Sequence, residues 1–320
     1  MNTSKVCVVN QLTKIYAHNN KVLDDLSIEI NKGEIVSIIG LNGSGKTTLF
    51  KVLSGLTTPS SGSVAIMDET RLVSLKKKTY LLLADNRQLY MKLTVKENIS
   101  FCLALRKNKT RETMAKAYEL LSSFGLSSKM NTIVQELSRG MQQKLSLCLA
   151  LIDPAPLLLL DEPTLGLDYL GKDELLNILR LVPEQFNKSV LISSHDLDFI
   201  SKVSQRIYFI NFGKIIAALS TCEYQEIFGI KNLIVEFKPP IKNEVIQMMS
   251  DDGFIIDEQI KAQSNELHFV KQVEDDTEAK LCISKIYSLG LDIKMLTYDL
   301  PPLEQLVRIL ENNTCGTKEK

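Results

Sequence analysis

Two different hydrophobic patterns occur in the N-terminal part of the chain. Residues 6–30 alternate apolar and polar positions around a turn at 19–20, which predicts an antiparallel layer of strands. In contrast, residues 35–39, 157–160 and 190–192 are short, uninterrupted apolar runs, each followed by polar residues. Such runs are typical of parallel strands buried on both faces, whose carboxyl ends carry functional groups. The pattern therefore predicts an α/β core with a mixed core sheet and an added antiparallel layer.

Helical spacing of apolar residues dominates the middle of the chain and predicts a helical subdomain at about 86–155. Beyond this region, strand and helix patterns follow in the order β-α-β-β-α-β, which is typical of a small ferredoxin-like α+β domain. We therefore expect a large domain over residues 1–225 and a small C-terminal accessory domain over 226–320. The predicted C-terminal elements are strands at 233–237, 254–256, 267–269 and 291–296 and helices at 245–249, 279–289 and 303–310.

Composition excludes several classes of function. Lys+Arg and Asp+Glu both number 38, so no overall positive field draws the chain to nucleic acid, and no nucleic-acid partner is expected. The six cysteines include no C-x-x-C pair, so neither a zinc site nor a disulfide framework is indicated. No run approaches the roughly 20 apolar residues of a membrane-spanning helix, and we expect a cytoplasmic protein.

The segment 40–48, GLNGSGKTT, contains the pattern G-x-x-x-x-G-K-[ST] directly after an apolar run. Glycines allow consecutive backbone N–H groups to converge on a phosphate at the start of a helix, Lys46 can reach the terminal phosphates, and Thr47 can hold Mg²⁺. The segment predicts a nucleoside triphosphate site, and by itself it is compatible with kinases, GTPases, motors and transport ATPases. The residues expected to contact the nucleotide are Asn42, Gly43, Ser44, Gly45, Lys46, Thr47 and Thr48.

Two adjacent carboxylates, Asp161 and Glu162, follow the apolar run 157–160. Neighbouring side chains at the end of a strand diverge, so the two acids can have different roles. We expect Asp161 to hold Mg²⁺ and Glu162 to act as general base toward a water in line with the γ-phosphate.

A third motif lies at 137–144, LSRGMQQK, where Ser138 is a natural helix N-cap and Gly140 permits close approach of an anion. This segment resembles the signature sequence of ABC-type ATPases. The resemblance covers most of residues 1–225, because the signature, the Asp-Glu strand and the sequence LGLD at 165–168 follow in the order and approximate spacing of that family.

The resemblance implies a set of roles and an architecture. Tyr16 matches the aromatic residue that stacks on adenine, and His195 matches the switch histidine that contacts the γ-phosphate. In this family two ATPase domains sandwich two ATP molecules, and each site combines one phosphate loop with the signature of the other domain, here Ser138 and Gly140, together with Asp168. The chain has one set of motifs. It is therefore expected to form a homodimer, or a heterodimer with a close relative.

Two positions depart from the family pattern. The position of the usual Mg²⁺-contacting glutamine falls on Asp85, which is shorter, charged and unable to donate a hydrogen bond; Gln88 could serve if the loop is displaced. Arg139 replaces the first glycine of the common signature, where a long cation near a phosphate is tolerable. Both changes leave the catalytic set intact, and Asp85 is kept as a candidate metal-contacting residue.

The same resemblance implies ATP hydrolysis that powers a separate transmembrane permease, with the ATPase peripheral on the inner face of the membrane. The stretch 300–306, LPPLEQL, resembles the tail of ATPases from bacterial multidrug, antibiotic or bacteriocin-immunity exporters, which favours export. Two alternatives stay open: a soluble ABC ATPase that remodels the ribosome or nucleic acid, and a resistance or immunity module that acts without transport.

Overall fold

The structure is a computed structural model of the chain. It divides into two compact units, one over Met1–Thr221, to which Leu310 also belongs, and one over Cys222–Ile309. The sequence-based boundary after residue 225 lies four residues later, within a helix, and stays a prediction. The described residues are 4–83, 88–228, 231–238, 241–256, 267–273, 276–288 and 290–299, with Leu303, Leu306, Val307 and Leu310.

A six-stranded sheet forms the centre of the first unit. Its strands are β3 (Ile35–Ile39), β5 (Thr79–Leu82), β6 (Leu157–Asp161), β7 (Ser189–Ser193), β8 (Arg206–Asn211) and β9 (Lys214–Ser220). They lie in the order β5-β6-β7-β3-β8-β9, and all neighbours are parallel except β8 and β9. Every residue of β3, β6 and β7 is buried, as expected for central parallel strands. The predicted α/β core with a mixed sheet is confirmed.

A three-stranded antiparallel sheet forms a second layer, in the order β2-β1-β4. A short turn at Ala17–Asn19 joins its first two strands, and its third strand was not predicted from the sequence. That third strand opens with polar residues around Gly62, which has a φ of +81° and where a Cβ would lie 2.3 Å from the carbonyl oxygen of Gln11. The strands are β1 (Lys5–Tyr16), β2 (Asn20–Asn31) and β4 (Ser61–Ile66).

Seven helices are described in the first unit before Thr221, and three of them, α3 to α5, fall in the segment for which a helical subdomain was predicted. Among the described residues, no helix combines the length and apolar character needed to cross a bilayer. The helices are α1 (Lys46–Leu53), α2 (Leu72–Lys78), α3 (Val95–Leu105), α4 (Arg111–Ser123), α5 (Arg139–Ile152), α6 (Tyr169–Phe186) and α7 (Leu197–Val203).

One hydrophobic core joins the two sheets and holds helix α1 in place. Leu12 and Leu26 from the antiparallel layer and Leu159 from the central sheet belong to the same buried cluster as Phe50 and Leu53 of α1. Each such side chain, when fully buried, stabilises the fold by about 1.5–3 kcal/mol. Because two large residues of α1 are fixed in this core, the loop that precedes the helix has a defined position.

The second unit contains a four-stranded antiparallel sheet in the order β11-β12-β10-β13 and has its own hydrophobic core. The elements described from β10 onward follow the order β-α-β-β-α-β, and assignment to the ferredoxin-like class stays a prediction. Most of the predicted helix 303–310 lies outside the described residues. The elements are α8 (Thr221–Phe228), β10 (Lys231–Phe237), α9 (Asn243–Asp251), β11 (Ile255–Ile256), β12 (His268–Val273), α10 (Asp276–Ser288) and β13 (Ile293–Asp299).

Candidate functional site

The loop between β3 and α1 has a backbone that requires glycine. Gly45 precedes the first residue of α1 with a φ of +107°, and Gly43 has a φ of +82°, both in the left-handed region. A Cβ on Gly40 would lie only 2.3 Å from the carbonyl oxygen of Ile210. The loop is therefore closely packed against β8 while its backbone N–H groups lead into a helix N-terminus, the arrangement that suits an anion.

Two polar side chains in this loop fit a phosphate ligand. The Oγ of Ser44 is buried and makes no hydrogen bond to any described residue. Lys46 Nζ donates to the carbonyl oxygens of Gly40 at 2.6 Å and Leu41 at 3.0 Å. Burial lowers the pKa of Lys46, and the nearby Glu162 carboxylate, followed by Asp161, partly offsets this effect. A buried hydroxyl without a partner beside a desolvated ammonium is a site that a phosphate group would complete.

Asp161 ends β6 beside the phosphate loop. Its Oδ2 accepts a hydrogen bond from Thr47 Oγ1 at 3.1 Å, and its Oδ1 accepts one from Ser193 Oγ at 2.5 Å. Parallel pairing of β6 with β7 places Asp161 directly opposite Ser193. A hydroxyl and a carboxylate in contact are hard oxygen donors of the kind that Mg²⁺ prefers, so the donor set fits this ion.

Glu162 has a left-handed backbone conformation, with a φ of +50°, which is uncommon for a residue other than glycine. Its N–H donates to both the carbonyl oxygen and the Oγ of Ser193, at 3.0 and 3.1 Å. The Glu162 Oε2 lies 2.9 Å from His195 Nδ1, and the glutamate side chain is 19% exposed, against 64% for the histidine. The sharp turn after β6 thus directs one carboxylate toward Thr47 and the next toward His195.

The residues of the signature segment form a second cluster. Ser138 caps α5 by accepting from the N–H of Met141 at 3.3 Å, and Asp168 caps α6 by accepting from the N–H of Gly171 at 2.8 Å. Both capping residues, together with Gly140, line a cavity of about 480 Å³ between these two helix N-termini. The two helix N-termini contribute partial positive charge to this cavity, whose lining also contains charged side chains of both signs.

Three further residues considered in the sequence analysis are Tyr16, Asp85 and Gln88. Tyr16 ends β1 with its ring 40% exposed, and Lys14 Nζ lies 5.0 Å from the centre of that ring. Asp85 lies outside the described residues. Gln88 donates to the carbonyl oxygen of Leu81, and its buried Oε1 makes no hydrogen bond to the described part of the chain.

Sequence reasoning missed several residues that support the site. Ser193 contacts both carboxylate residues at the end of β6, as described above. In addition, Thr164 Oγ1 lies 3.4 Å from the Oγ of Ser194, and Gln143 of α5 donates to the carbonyl oxygen of Pro163 at 3.0 Å. The two serines at the end of an apolar strand were the available signal, because hydroxyls at the carboxyl end of a parallel strand face the same edge as the motif residues.

A family model described as ABC transporter matches residues 23–165. The SkfA peptide export ATP-binding protein SkfE of Bacillus subtilis (strain 168) is 34% identical over 218 residues, which cover 68% of this chain and 90% of that protein. The chain belongs to the ABC transporter ATP-binding proteins. A methionine import ATP-binding protein of Bacillus cereus, MetN 2, is 30% identical over 217 residues, covering 65% of this chain and 64% of that protein.

A solved structure of an ATP-binding cassette has a similar fold. The dimeric structure of a post-hydrolysis state of the ATP-binding cassette MJ0796, bound to ADP and Pi, has a TM-score of 0.61 and 26% identity, and covers 67% of this chain and 98% of that one. The predicted resemblance is confirmed, and the chain is an ATP-hydrolysing subunit of an ABC transporter with a nucleotide-binding cassette. The relatives include an export and an import protein, so family membership is compatible with either direction of transport.

Proposed function

We propose that the chain hydrolyses Mg²⁺-ATP at the carboxyl edge of β6, β7 and β3, as one half of an ATPase dimer that drives a separate membrane permease in the direction of export. The observation that carries the proposal is the convergence of two contacts at this edge, Thr47 to Asp161 at 3.1 Å and Glu162 to His195 at 2.9 Å. They bring the metal-binding and catalytic residues predicted from three separate motifs to the end of neighbouring strands.

The binding role belongs to the phosphate loop and the first turn of α1. Backbone N–H groups at 42–48 would surround the β- and γ-phosphates, and Ser44 Oγ would gain a partner that no described residue provides. Lys46 Nζ would exchange its hydrogen bonds to the carbonyl oxygens of Gly40 and Leu41 for hydrogen bonds to phosphate oxygens. The negative charge of the phosphate would stabilise this buried cation. Tyr16 is proposed to stack on the adenine, for which its exposed ring is suited.

The catalytic role belongs to the residues after β6 and β7. Thr47 Oγ1 and Asp161 would hold Mg²⁺, which when bound would neutralise charge on the phosphates. Glu162 would accept a proton from the attacking water at a carboxylate oxygen, and its left-handed backbone fixes that carboxylate away from Asp161. His195, already in contact with Glu162 Oε2, would orient this carboxylate and reach toward the γ-phosphate.

The signature cluster is proposed to act on the nucleotide of a second subunit. Ser138, Gly140 and Asp168 line one cavity at two helix N-termini, and a single chain has only one such cluster and one phosphate loop. A second copy or a close relative would supply the complementary half. Family membership supports the proposed permease partner and the proposed location on the inner face of the membrane, and export is supported by the resemblance of 300–306 and by the relative SkfE.

Substitution at Glu162 tests the catalytic assignment. We expect Glu162→Gln to bind ATP and to accumulate an ATP-bound dimer, with kcat lowered by about 100-fold or more. Glu184→Gln, an exposed position on α6, is the matched control and should keep full activity. Lys46→Ala should abolish nucleotide binding. Unchanged steady-state hydrolysis in Glu162→Gln would remove this residue from the role of base.

A pull-down from detergent-solubilised membranes of the native host, with and without ATP, tests the partner. Recovery of a multi-span membrane protein would support the transporter assignment and identify the permease. Recovery of ribosomes or nucleic acid without a membrane protein would instead support the soluble remodelling alternative, and it would leave the ATP site unaffected.

A further inference from the structure

An ion pair links the start of helix α6, next to Asp168, to the segment that carries His195. Lys172 lies in the first turn of α6, and its Nζ lies 2.5 Å from Oδ2 of Asp196. Asp196 directly follows His195 and caps α7, because its Oδ1 accepts from the N–H of Phe199 at 3.1 Å. The two oxygens of one carboxylate therefore have separate tasks, one toward helix α7 and one toward helix α6.

Each end of this ion pair is close to a residue of the proposed function. On the α6 side, the N–H of Lys172 donates to the carbonyl oxygen of Asp168 at 3.0 Å, and Asp168 lies in the cavity of the signature cluster. On the other side, Asp196 continues the short segment that carries His195, and the N–H of Asp196 donates to Ser194 Oγ at 3.0 Å. A movement of the first turn of α6 would therefore be transmitted through Lys172 and Asp196 to the segment that carries His195.

A role in stability alone would be a poor explanation for the Lys172–Asp196 pair. The side chain of Lys172 is 39% exposed, and ion pairs with this exposure contribute little to the free energy of unfolding. Burial raises the pKa of Asp196, while hydrogen bonds from Lys172 and Phe199 N and the charges of Lys172 and His195 lower it below its ordinary value overall. The carboxylate is thereby kept ionised and able to hold Lys172 at neutral pH.

We propose that Lys172 is a positioning residue that couples the Asp168 end of helix α6 to the His195–Glu162 pair through Asp196. The proposal rests on the proposed function, in which Asp168 faces a second subunit and His195 acts at the γ-phosphate. When a second subunit binds at Asp168, the first turn of α6 is fixed, and Lys172 then fixes the loop that carries His195. Lys172 acts through Asp196 rather than directly on the reacting groups.

Four variants of the full chain test this coupling. Lys172→Met removes the charge and keeps the apolar stem, Lys172→Arg restores a cation, and Asp196→Asn keeps a capping oxygen while losing the acceptor for Lys172. The matched control is Lys202→Met, because Lys202 pairs with Asp198 at 2.6 Å on the surface of α7. Steady-state kcat and KM for ATP are measured for each variant, together with the thermal unfolding midpoint.

We expect Lys172→Met and Asp196→Asn each to lower kcat by about tenfold with KM within twofold of the wild type, because a catalytic group displaced by even 1 Å loses much of its effect. Lys172→Arg should recover most of the activity, and Lys202→Met should equal the wild type. The double variant Lys172→Met/Asp196→Asn should be no slower than either single one, since both remove the same contact.

ATP-dependent dimer formation separates this proposal from the proposed function. In the Glu162→Gln background, Lys172→Met should leave the ATP-dependent dimer as strong as it is in Glu162→Gln alone, since the contact acts on His195 rather than on pairing. A weakened dimer, a kcat within twofold of the wild type in Lys172→Met and Asp196→Asn, or an equal loss in Lys202→Met would each overturn the coupling. Failure of Glu162→Gln itself to form a dimer would instead contradict the proposed function.

Discussion

Lys188 is a buried cation whose titration gives a measurable test of how the core sheet is held. It precedes β7, is only 6% exposed, and its Nζ donates to the carbonyl oxygens of Asp153 and, at 2.6 Å, Ala155. Burial lowers the pKa of Lys188 from 10.5 to about 8, while the Asp153 carboxylate raises it and the Arg106 guanidinium lowers it further. The ammonium is thus held by backbone carbonyls at the end of the sheet opposite the nucleotide site.

The sign of the pH effect follows from proton binding. The pKa of Lys188 is lower in the folded chain than in the unfolded one, so between about pH 8 and 10.5 the unfolded chain binds more protons. The free energy of unfolding therefore rises with pH across this window. Relative to a variant that lacks the amine, the wild type should gain about 2.5 kcal/mol between pH 7 and pH 10.

Urea unfolding of the full chain, followed by far-UV circular dichroism at four pH values from 7 to 10, measures this effect in wild type and Lys188→Met. Other titrating groups cancel in the difference between the two proteins. The control is Lys116→Met. The hydrogen bond from Lys116 to Glu112 raises the pKa of this lysine in the folded chain. Its contribution to stability is therefore fully present below the pKa of the unfolded chain and is lost only as pH rises through the pKa of the folded chain. The control should therefore show no relative change up to pH 10.

A pH-independent difference between wild type and Lys188→Met would refute the reasoning. It would mean that the two carbonyl oxygens and Asp153 compensate fully for burial of the ammonium. A difference that shrinks as pH rises would mean that the folded chain holds this proton more tightly than the unfolded one, which is the opposite of the expected sign.

Three further predictions concern the nucleotide site. Ser44→Ala should lower ATP affinity in calorimetry by about fivefold to tenfold without lowering stability, because Oγ bonds no described residue; unchanged affinity would exclude the hydroxyl from the cradle. Gly40→Ala should destabilise the fold by about 1–3 kcal/mol, because its Cβ would meet Ile210; an unaltered unfolding midpoint would contradict that close approach. Ser193→Ala should lower kcat by about tenfold, because Asp161 and the Glu162 N–H lose its Oγ; wild-type kcat would mean that backbone contacts alone position both acids.

The central strands were predictable from the sequence because their environment is uniform. Strands β3, β6 and β7 are buried along their whole length, so every position except the last residue of β6, Asp161, is apolar or a serine. Strands β4 and β9 lie at the edges of their sheets and contain exposed positions, and the apolar residues within them, 64–66 and 215–219, are not followed by a recognisable motif. For such strands, pairing with a neighbour decides the conformation more than the pattern of the strand itself.

The catalytic motifs were predictable because each is contiguous in sequence, whereas their supporting contacts are not. Ser193 is 32 residues from Asp161, and the two meet only because β6 and β7 pair in one particular register. Lys172 in α6 and Asp196 at the N-cap of α7 are likewise far apart in sequence, and a lone lysine in a partly exposed first turn has no feature that distinguishes it from a solvated side chain. Residues whose roles arise from register and helix placement therefore require the structure.

The short segment from Glu162 to Asp168 connects the catalytic edge to the signature cluster. It begins at a left-handed glutamate and ends at a helix cap, and between them the carbonyl oxygen of Pro163 accepts a hydrogen bond from Gln143 of the signature helix. The N–H of Leu165 donates back to the carbonyl oxygen of Glu162 at 3.1 Å, so the segment is a hydrogen-bonded turn rather than an extended strand. A displacement of Asp168 that keeps these hydrogen bonds would move the turn as a unit and would therefore reach Glu162. Communication between subunit pairing and hydrolysis can therefore arise from the covalent chain itself, with Lys172 as a second, parallel connection to His195.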